Sequence, residues 1–149
     1  TMKKIALLCL TLLSLAASLA AKSQSSAPKV LPAGTLVLLE TTEKIASDQV
    51  TVGKTLLFRV RMNVVVDGKI VIAGGALAIG RVKSISRATF NHPEEITLEV
   101  QYAQAVDGQQ IALNGAEQTY RGMFANESTI VEPAQTITGT VMNNTCINF

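Results

Sequence analysis

Thr55-Leu56-Leu57-Phe58-Arg59-Val60-Arg61-Met62-Asn63-Val64-Val65-Val66-Asp67-Gly68-Lys69-Ile70-Val71-Ile72 decides the fold. Leu56, Phe58, Val60, Met62, Val64 and Val66 share one face at a period of two, while Leu57, Arg59, Arg61, Asn63 and Val65 take the other. That alternation belongs to a strand with one side on a core. Asp67-Gly68 then stands between two apolar runs, a pair that accepts positive φ at both central residues of a type I′ hairpin turn.

The same grammar recurs downstream. Ile96, Leu98, Val100 and Tyr102 alternate with Thr97, Glu99, Gln101 and Ala103, and Val106-Asp107-Gly108-Gln109 repeats the Asp-Gly turn. Two hairpins are predicted, Thr55–Val66 with Lys69–Ile72 and Glu95–Val106 with Gln109–Asn114. Val52-Gly53-Lys54 reads as a turn, and Ala73-Gly74-Gly75 as a break before a strand from Ala76 to Ser86. Strands this long must coil, with a bulge expected near Gly80-Arg81, where the alternation of Leu77 and Ile79 gives way to Val82 and Ile85. No window of comparable length keeps a period of 3.6. The reading is all-β: a single coiled antiparallel barrel or sandwich of about seven to eight strands. Its core is expected from Leu56, Phe58, Val60, Met62, Val64, Ile96, Leu98, Val100 and Tyr102.

A short turn motif is used three times. Leu31-Pro32-Ala33-Gly34-Thr35, Ile72-Ala73-Gly74-Gly75-Ala76 and Glu132-Pro133-Ala134-Gln135-Thr136 superpose as small turns feeding strands, at unequal intervals that fit one sheet system rather than a solenoid. The strands that follow the first and last copies, Thr35–Thr42 and Thr136–Met142, are expected to pair and seal the barrel.

The chain of 149 residues is 48% apolar, which suits one domain of ordinary size. Its positive mean hydropathy of +0.31 owes much to Ile5–Ala21, which carries no charge. Lys3 and Lys4 form a basic n-region, Ile5–Leu15 an apolar h-region, and Ser18-Leu19-Ala20 the small residues a signal peptidase reads, so residues 1–20 are expected to be a signal peptide cleaved after Ala20. An uncleaved anchor is the alternative, and membrane contact is expected only in that case. Residues 21–30 read as a flexible linker, 31–142 as the β-barrel-like domain and 143–149 as a C-terminal tail. Export implies an oxidising compartment, yet Cys9 leaves with the leader and Cys146 alone remains, so no internal disulfide is expected.

Without Lys3 and Lys4, 11 basic residues balance 11 acidic ones, and a nucleic-acid footprint is missing. One His and one tail Cys make no metal set, so neither metal nor other cofactor is expected. Adjacent Glu94 and Glu95 point to opposite faces of a strand, and no Gly-x-Ser-x-Gly or phosphate-cradling loop occurs. No catalytic residue is assigned, which favours a binding module over an enzyme. The rival is a small periplasmic hydrolase or ligand-binding protein using the loop around His92, in Phe90-Asn91-His92-Pro93.

Leu31-Pro32-Ala33-Gly34-Thr35, Val64-Val65-Val66-Asp67-Gly68-Lys69, Val71-Ile72-Ala73-Gly74-Gly75-Ala76 with Gly80-Arg81-Val82, and Val106-Asp107-Gly108-Gln109 with Ile111 and Leu113 follow one another in an order that carries a resemblance. Over roughly Leu31–Val141 the chain resembles the C-terminal β-barrel domain of the envelope-spanning subunit of conjugation and type IV secretion machines. It is also similar to small exported bacterial β domains of no assigned function. The resemblance implies a fold and a bacterial envelope setting, periplasmic or envelope-associated. The long Pro-rich linker and helical pore insertion of that subunit have no counterpart here.

Two candidate surfaces complete the reading. Tyr120-Arg121-Gly122-Met123-Phe124-Ala125-Asn126 breaks the alternation and mixes two aromatics, a Met and an Arg. Tyr120, Arg121, Met123 and Phe124 thus form a candidate protein interface, for a protein partner or self-association, or else a plug over the barrel end. Arg59, Arg61, Arg81, Lys83 and Arg87 form either an anion-binding stripe or half of a set of cross-strand ion pairs. If Ala88–Pro93 is a hairpin loop, facing residues sum to about 180, which sets Arg81 beside Glu99 and Arg87 beside Glu94.

Overall fold

The computed structural model describes residues 27–149; the expected leader and most of the expected linker lie outside them. Every regular element described is a strand: β1 (Lys29–Leu31), β2 (Leu36–Thr41), β3 (Ile45–Ala46), β4 (Thr55–Val60), β5 (Val64–Val66), β6 (Lys69–Ile72), β7 (Leu77–Ser86), β8 (Glu95–Gln104), β9 (Gln110–Asn114), β10 (Glu117–Arg121), β11 (Ile130–Val131), β12 (Thr136–Val141) and β13 (Thr145–Ile147). Seven of them form one antiparallel sheet in the order β10-β8-β7-β4-β2-β12-β9, and an added β8–β9 pairing turns it back on itself. Six strands thus close a ring. The expected pairing of the first and last strands holds, with Thr136 opposite Glu40 and Thr140 opposite Leu36. No helix among the described residues is long and apolar enough to cross a membrane.

Closing so small a ring needs sharp bends, and three corners supply them. At each, an outgoing strand and a returning strand kink together into a short two-stranded ribbon: β13 with β1, β3 with β11, β5 with β6. The returning chain turns on one residue of positive φ, Gly34 (84°), Gly75 (89°) or Ala134 (64°). Its N–H donates to the carbonyl that ends a long strand: Gly34 to Val141 (2.8 Å), Gly75 to Val60 (2.7 Å), Ala134 to Thr41 (2.8 Å). The N–H of that same strand-end residue donates back to the next carbonyl, of Thr35, Ala76 or Gln135. The first two turns superpose as the sequence alignment has them, Leu31 on Ile72 and Gly34 on Gly75, whereas the third is shifted by one residue, with buried Val131 rather than Glu132 at the strand end. In that register Ala134, not Gln135, stands where the other copies have Gly.

The outgoing sides obey a matching rule. Asn144 Oδ1 accepts the Ala33 N–H and Asn63 Oδ1 the Gly74 N–H, both at 2.7 Å. The third corner has Pro133 at the donor position, with no N–H to satisfy, and Lys44 replaces the asparagine.

The core holds most of the expected residues: Leu56, Phe58, Val60, Val64, Ile96, Leu98 and Val100 are buried. Met62 and Tyr102 are exposed instead. The long strand through Met62 does not exist, because Arg61-Met62-Asn63 is the corner between β4 and β5. Tyr102 turns outward because the β7–β8 register slips between Ile79 and Gly80, leaving Gln101 as an extra residue and handing the inner face to Ala103. A second slip at Lys83 lets Ile85 reface the core, so the expected bulge is two bulges on opposite strands. Gly80 lies between them, where an added Cβ would strike the Glu99 carbonyl and come within 2.8 Å of the Phe58 ring. The first Asp-Gly turn is of the expected kind, with Asp67 and Gly68 both at positive φ. The second differs: only Gly108 is positive, and Ala105 and Gln109 are joined by the Ala105 N–H donating to the Gln109 carbonyl (2.9 Å), a three-residue loop ending on glycine.

Residues 143–149 are corrected from a tail to the home of β13, with Ile147 fully buried, and Lys29 and Val30, placed in the expected linker, open β1. Asp107 ties this end down. Burial pushes its carboxyl up, but the Asn148 N–H (3.0 Å), the Gln109 side chain and the Gln109 N–H (3.1 Å) together hold it below the usual carboxylate range. A lowered pKa stabilises the folded state above the ordinary Asp range, near pH 4, and that support is lost as pH falls through it. The protection of the amides at 145–148, measured against their intrinsic exchange rates at each pH, is therefore expected to fall on acidification below about pH 4, and Asp107→Asn to remove that acid dependence. Ala134 bears an unfavourable left-handed conformation, so Ala134→Gly is expected to raise the urea midpoint by the equivalent of about 1 kcal/mol.

Candidate functional site

One end of the ring is built from three loops that meet on Glu94. The Glu94 carbonyl accepts the Gly122 N–H (3.1 Å) and the Thr129 hydroxyl, and its own N–H donates to the Glu127 carbonyl (3.2 Å). Thr129 and Ser47 lock to each other, Ser47 N–H to the Thr129 carbonyl (2.9 Å) and Thr129 N–H to Ser47 Oγ (2.8 Å). The buried Glu94 carboxylate accepts Arg87 Nη1 at 2.6 Å, and the same nitrogen lies 3.4 Å from the Ser47 carbonyl. The buried side chains of Glu94, Ser47 and Thr129 all have partners, so the loops stand on a stiff platform.

Large apolar side chains project from that platform. Met123 is 88% exposed, Phe124 63% and Phe90 86%. Phe90 caps the tight turn Thr89–His92, whose ends exchange backbone hydrogen bonds at 2.9 and 3.2 Å. The loop bearing Met123 and Phe124 abuts it where Gly122 meets Pro93; a Cβ on Gly122 would sit 3.3 Å from the Pro93 side chain. The candidate interface divides. Tyr120 packs half-buried against the core, opposite Ile96, and Arg121 pairs with Glu95 at 2.5 Å. Met123 and Phe124 keep their side chains exposed. Phe90 is a residue that the sequence reading does not single out; its signal is a large aromatic immediately before the turn-forming run Asn91-His92-Pro93.

The basic residues sit in pairs. Arg81 meets Glu99 at 2.9 Å and Arg87 meets Glu94, the partners that the hairpin arithmetic assigns. Arg59 Nε donates to Glu40 at 2.8 Å, Lys83 pairs with Glu117, and Arg61 bonds the Thr136 hydroxyl. Four of the five stripe cations thus pair with carboxylates, Arg59 and Arg81 with direct cross-strand partners, Lys83 over the intervening β8, and Arg87 just beyond the strand ends. His92 and Cys146 stand at opposite ends of β8: His92 precedes its first residue, whereas the Cys146 carbonyl accepts Gln109 Nε2 (2.8 Å) beyond its last. Ten strand residues, about 30 Å, separate the two ends.

Compared with known proteins, the chain matches no family model and no curated sequence.

The Tyr120 hydroxyl is the one buried side-chain polar atom without a hydrogen-bond partner among the described residues, and burial pushes its pKa up. An unmet hydroxyl costs stability, so Tyr120→Phe is expected to leave the melting temperature unchanged or raise it, by up to about 1 kcal/mol of stability. A lower melting temperature would show that the hydroxyl has a partner.

Proposed function

We propose that the chain is an exported, non-enzymatic binding or assembly module of a bacterial cell envelope, and that it docks a protein partner through the tip formed by Phe90, Met123 and Phe124. The observation that carries this reading is the grouping of three exposed, large apolar side chains on two abutting loops, above a platform in which Glu94, Ser47 and Thr129 are hydrogen-bonded to one another's loops. Aromatic and Met side chains on a pre-organised support lose little conformational entropy on binding, which is how a small surface gains affinity. Neutralised cations on the barrel wall leave the apolar tip as the stronger docking feature. Support for an envelope setting comes from the leader pattern of residues 1–20 and from the turn-and-strand resemblance to the secretion subunit's barrel. The hydrolase alternative gains no second group, since the His92 imidazole makes no hydrogen bond among the described residues. Crosslinking and pull-down from the native envelope tests the reading. A variant carrying Phe90→Ser, Met123→Ser and Phe124→Ser is expected to lose the partner captured by the parent while melting at the same temperature. Capture undiminished by the triple change would overturn the proposed docking site.

A further inference from the structure

β10 ends the main sheet. It pairs with β8 alone, although β12 runs close to it where Ala116 packs on Gly139. The parity of its backbone follows from two bonds that bracket it, Val100 N–H to the Ala116 carbonyl (2.8 Å) and Gly122 N–H to the Glu94 carbonyl (3.1 Å). Even-numbered residues therefore face β8, and Glu117, Thr119 and Arg121 turn their N–H and carbonyl groups to the open side. Among the described residues two local bonds touch that row: the Glu117 N–H donates to the Gly115 carbonyl (2.9 Å), and Gln118 Nε2 reaches the Thr119 carbonyl at 3.3 Å. Glu117, Gln118, Thr119 and Arg121 are all exposed. The strand contains no Pro, Gly or Lys, the residues that usually guard an edge against pairing.

Glu117-Gln118-Thr119-Tyr120-Arg121 is self-complementary about its centre. We propose that two copies of this chain associate by antiparallel pairing of their β10 edges, on a two-fold axis through Thr119. Such an axis sets Glu117 opposite the partner's Arg121 and Thr119 opposite the partner's Thr119. Thr119 and Arg121 turn both backbone groups, and Glu117 its carbonyl, to the open side, so the register of the axis agrees with the parity of the strand, and the Glu117 N–H has only to exchange its local bond to Gly115 for one across the axis. Glu117 lies beside Lys83, and Arg121 beside Glu95. Across the interface Glu117 then meets the partner's Arg121, which itself pairs with the partner's Glu95; on its own side Glu117 stands opposite Glu99 and reaches over β8 to Lys83, so the pairing gives it a second cation to offset its carboxylate neighbour. Thr97 and Thr119, joined hydroxyl to hydroxyl at 2.8 Å, supply an uncharged centre. The pairing is independent of the apolar tip, which lies on the loops beyond β10.

Sedimentation of the purified chain between about 1 and 100 µM, a range that brackets a micromolar dimer, tests the pairing. The parent is expected to dimerise as concentration rises. Thr119→Pro removes the central edge donor without removing a bond to β8, and Glu117→Arg places two like-charged pairs across the axis. Each is expected to weaken dimerisation about tenfold or more with no fall in melting temperature. Should the proline variant fold poorly, Glu117→Arg decides alone. The triple change at Phe90, Met123 and Phe124 is expected to leave the dimer intact, which separates this proposal from the docking site. A parent that stays monomeric throughout, a dimer that survives Glu117→Arg, or one lost with the tip residues would each overturn it.

Discussion

The whole structure depends on what happens to backbone polar groups where strands must bend. A ring of six antiparallel strands requires sharp corners, and a bend made by simply breaking the ladder would leave N–H and carbonyl groups without partners at the edge of the core. Each corner avoids this with the same pair of bonds, from a left-handed residue to the neighbouring strand end and back again. The ladder thus continues through the bend. Strand ends are fixed in register by these bonds, and the facing of every core residue follows from that register.

Charge on the wall is organised by the same register. Glu40 with Arg59, Arg81 with Glu99 and Arg121 with Glu95 are direct cross-strand partners, so the pairs add little stability each but oppose any slip of one strand past another. A sequence with balanced charge arrives at a surface where opposite signs are interleaved rather than gathered. The two ends of the barrel differ in kind: one is closed by the short ribbons β1–β13 and β5–β6 with Asp107 holding the chain end, the other by loops knotted on Glu94.

Much of this was legible in the sequence because a period of two states directly which residues share a face. The all-β class, the first Asp-Gly hairpin, the pairing of β2 with β12 and the Arg81–Glu99 and Arg87–Glu94 partners all follow from alternation and turn spacing. Met62 and Tyr102 did not, since their alternation runs unbroken in the sequence across a corner and a bulge that only the pairing of neighbouring strands reveals. Residues 143–149 read as a tail because three residues are too few to show a period, although Cys146 and Ile147 are held in register by Val30 and Lys29 at the other end of the domain. Of the apolar tip, Met123 and Phe124 stood out by breaking the pattern. Phe90 was hidden in a turn whose polar residues announce a loop and say nothing of its most exposed side chain.

The third corner carries a constraint on how this sequence can change over time. At the other two, an asparagine and an amide donor are matched; here a lysine and a proline have replaced them together. Replacing Pro133 with an ordinary residue restores an N–H that Lys44 has no acceptor to meet, whereas replacing Lys44 with asparagine first supplies an acceptor with nothing yet to bind. The two orders of substitution therefore differ in outcome: with asparagine at 44 in place first, a new N–H at 133 finds a fixed acceptor, and without it that exposed N–H is left to water. Two sites far apart in the chain are tied in this way by a single hydrogen bond that one corner does without.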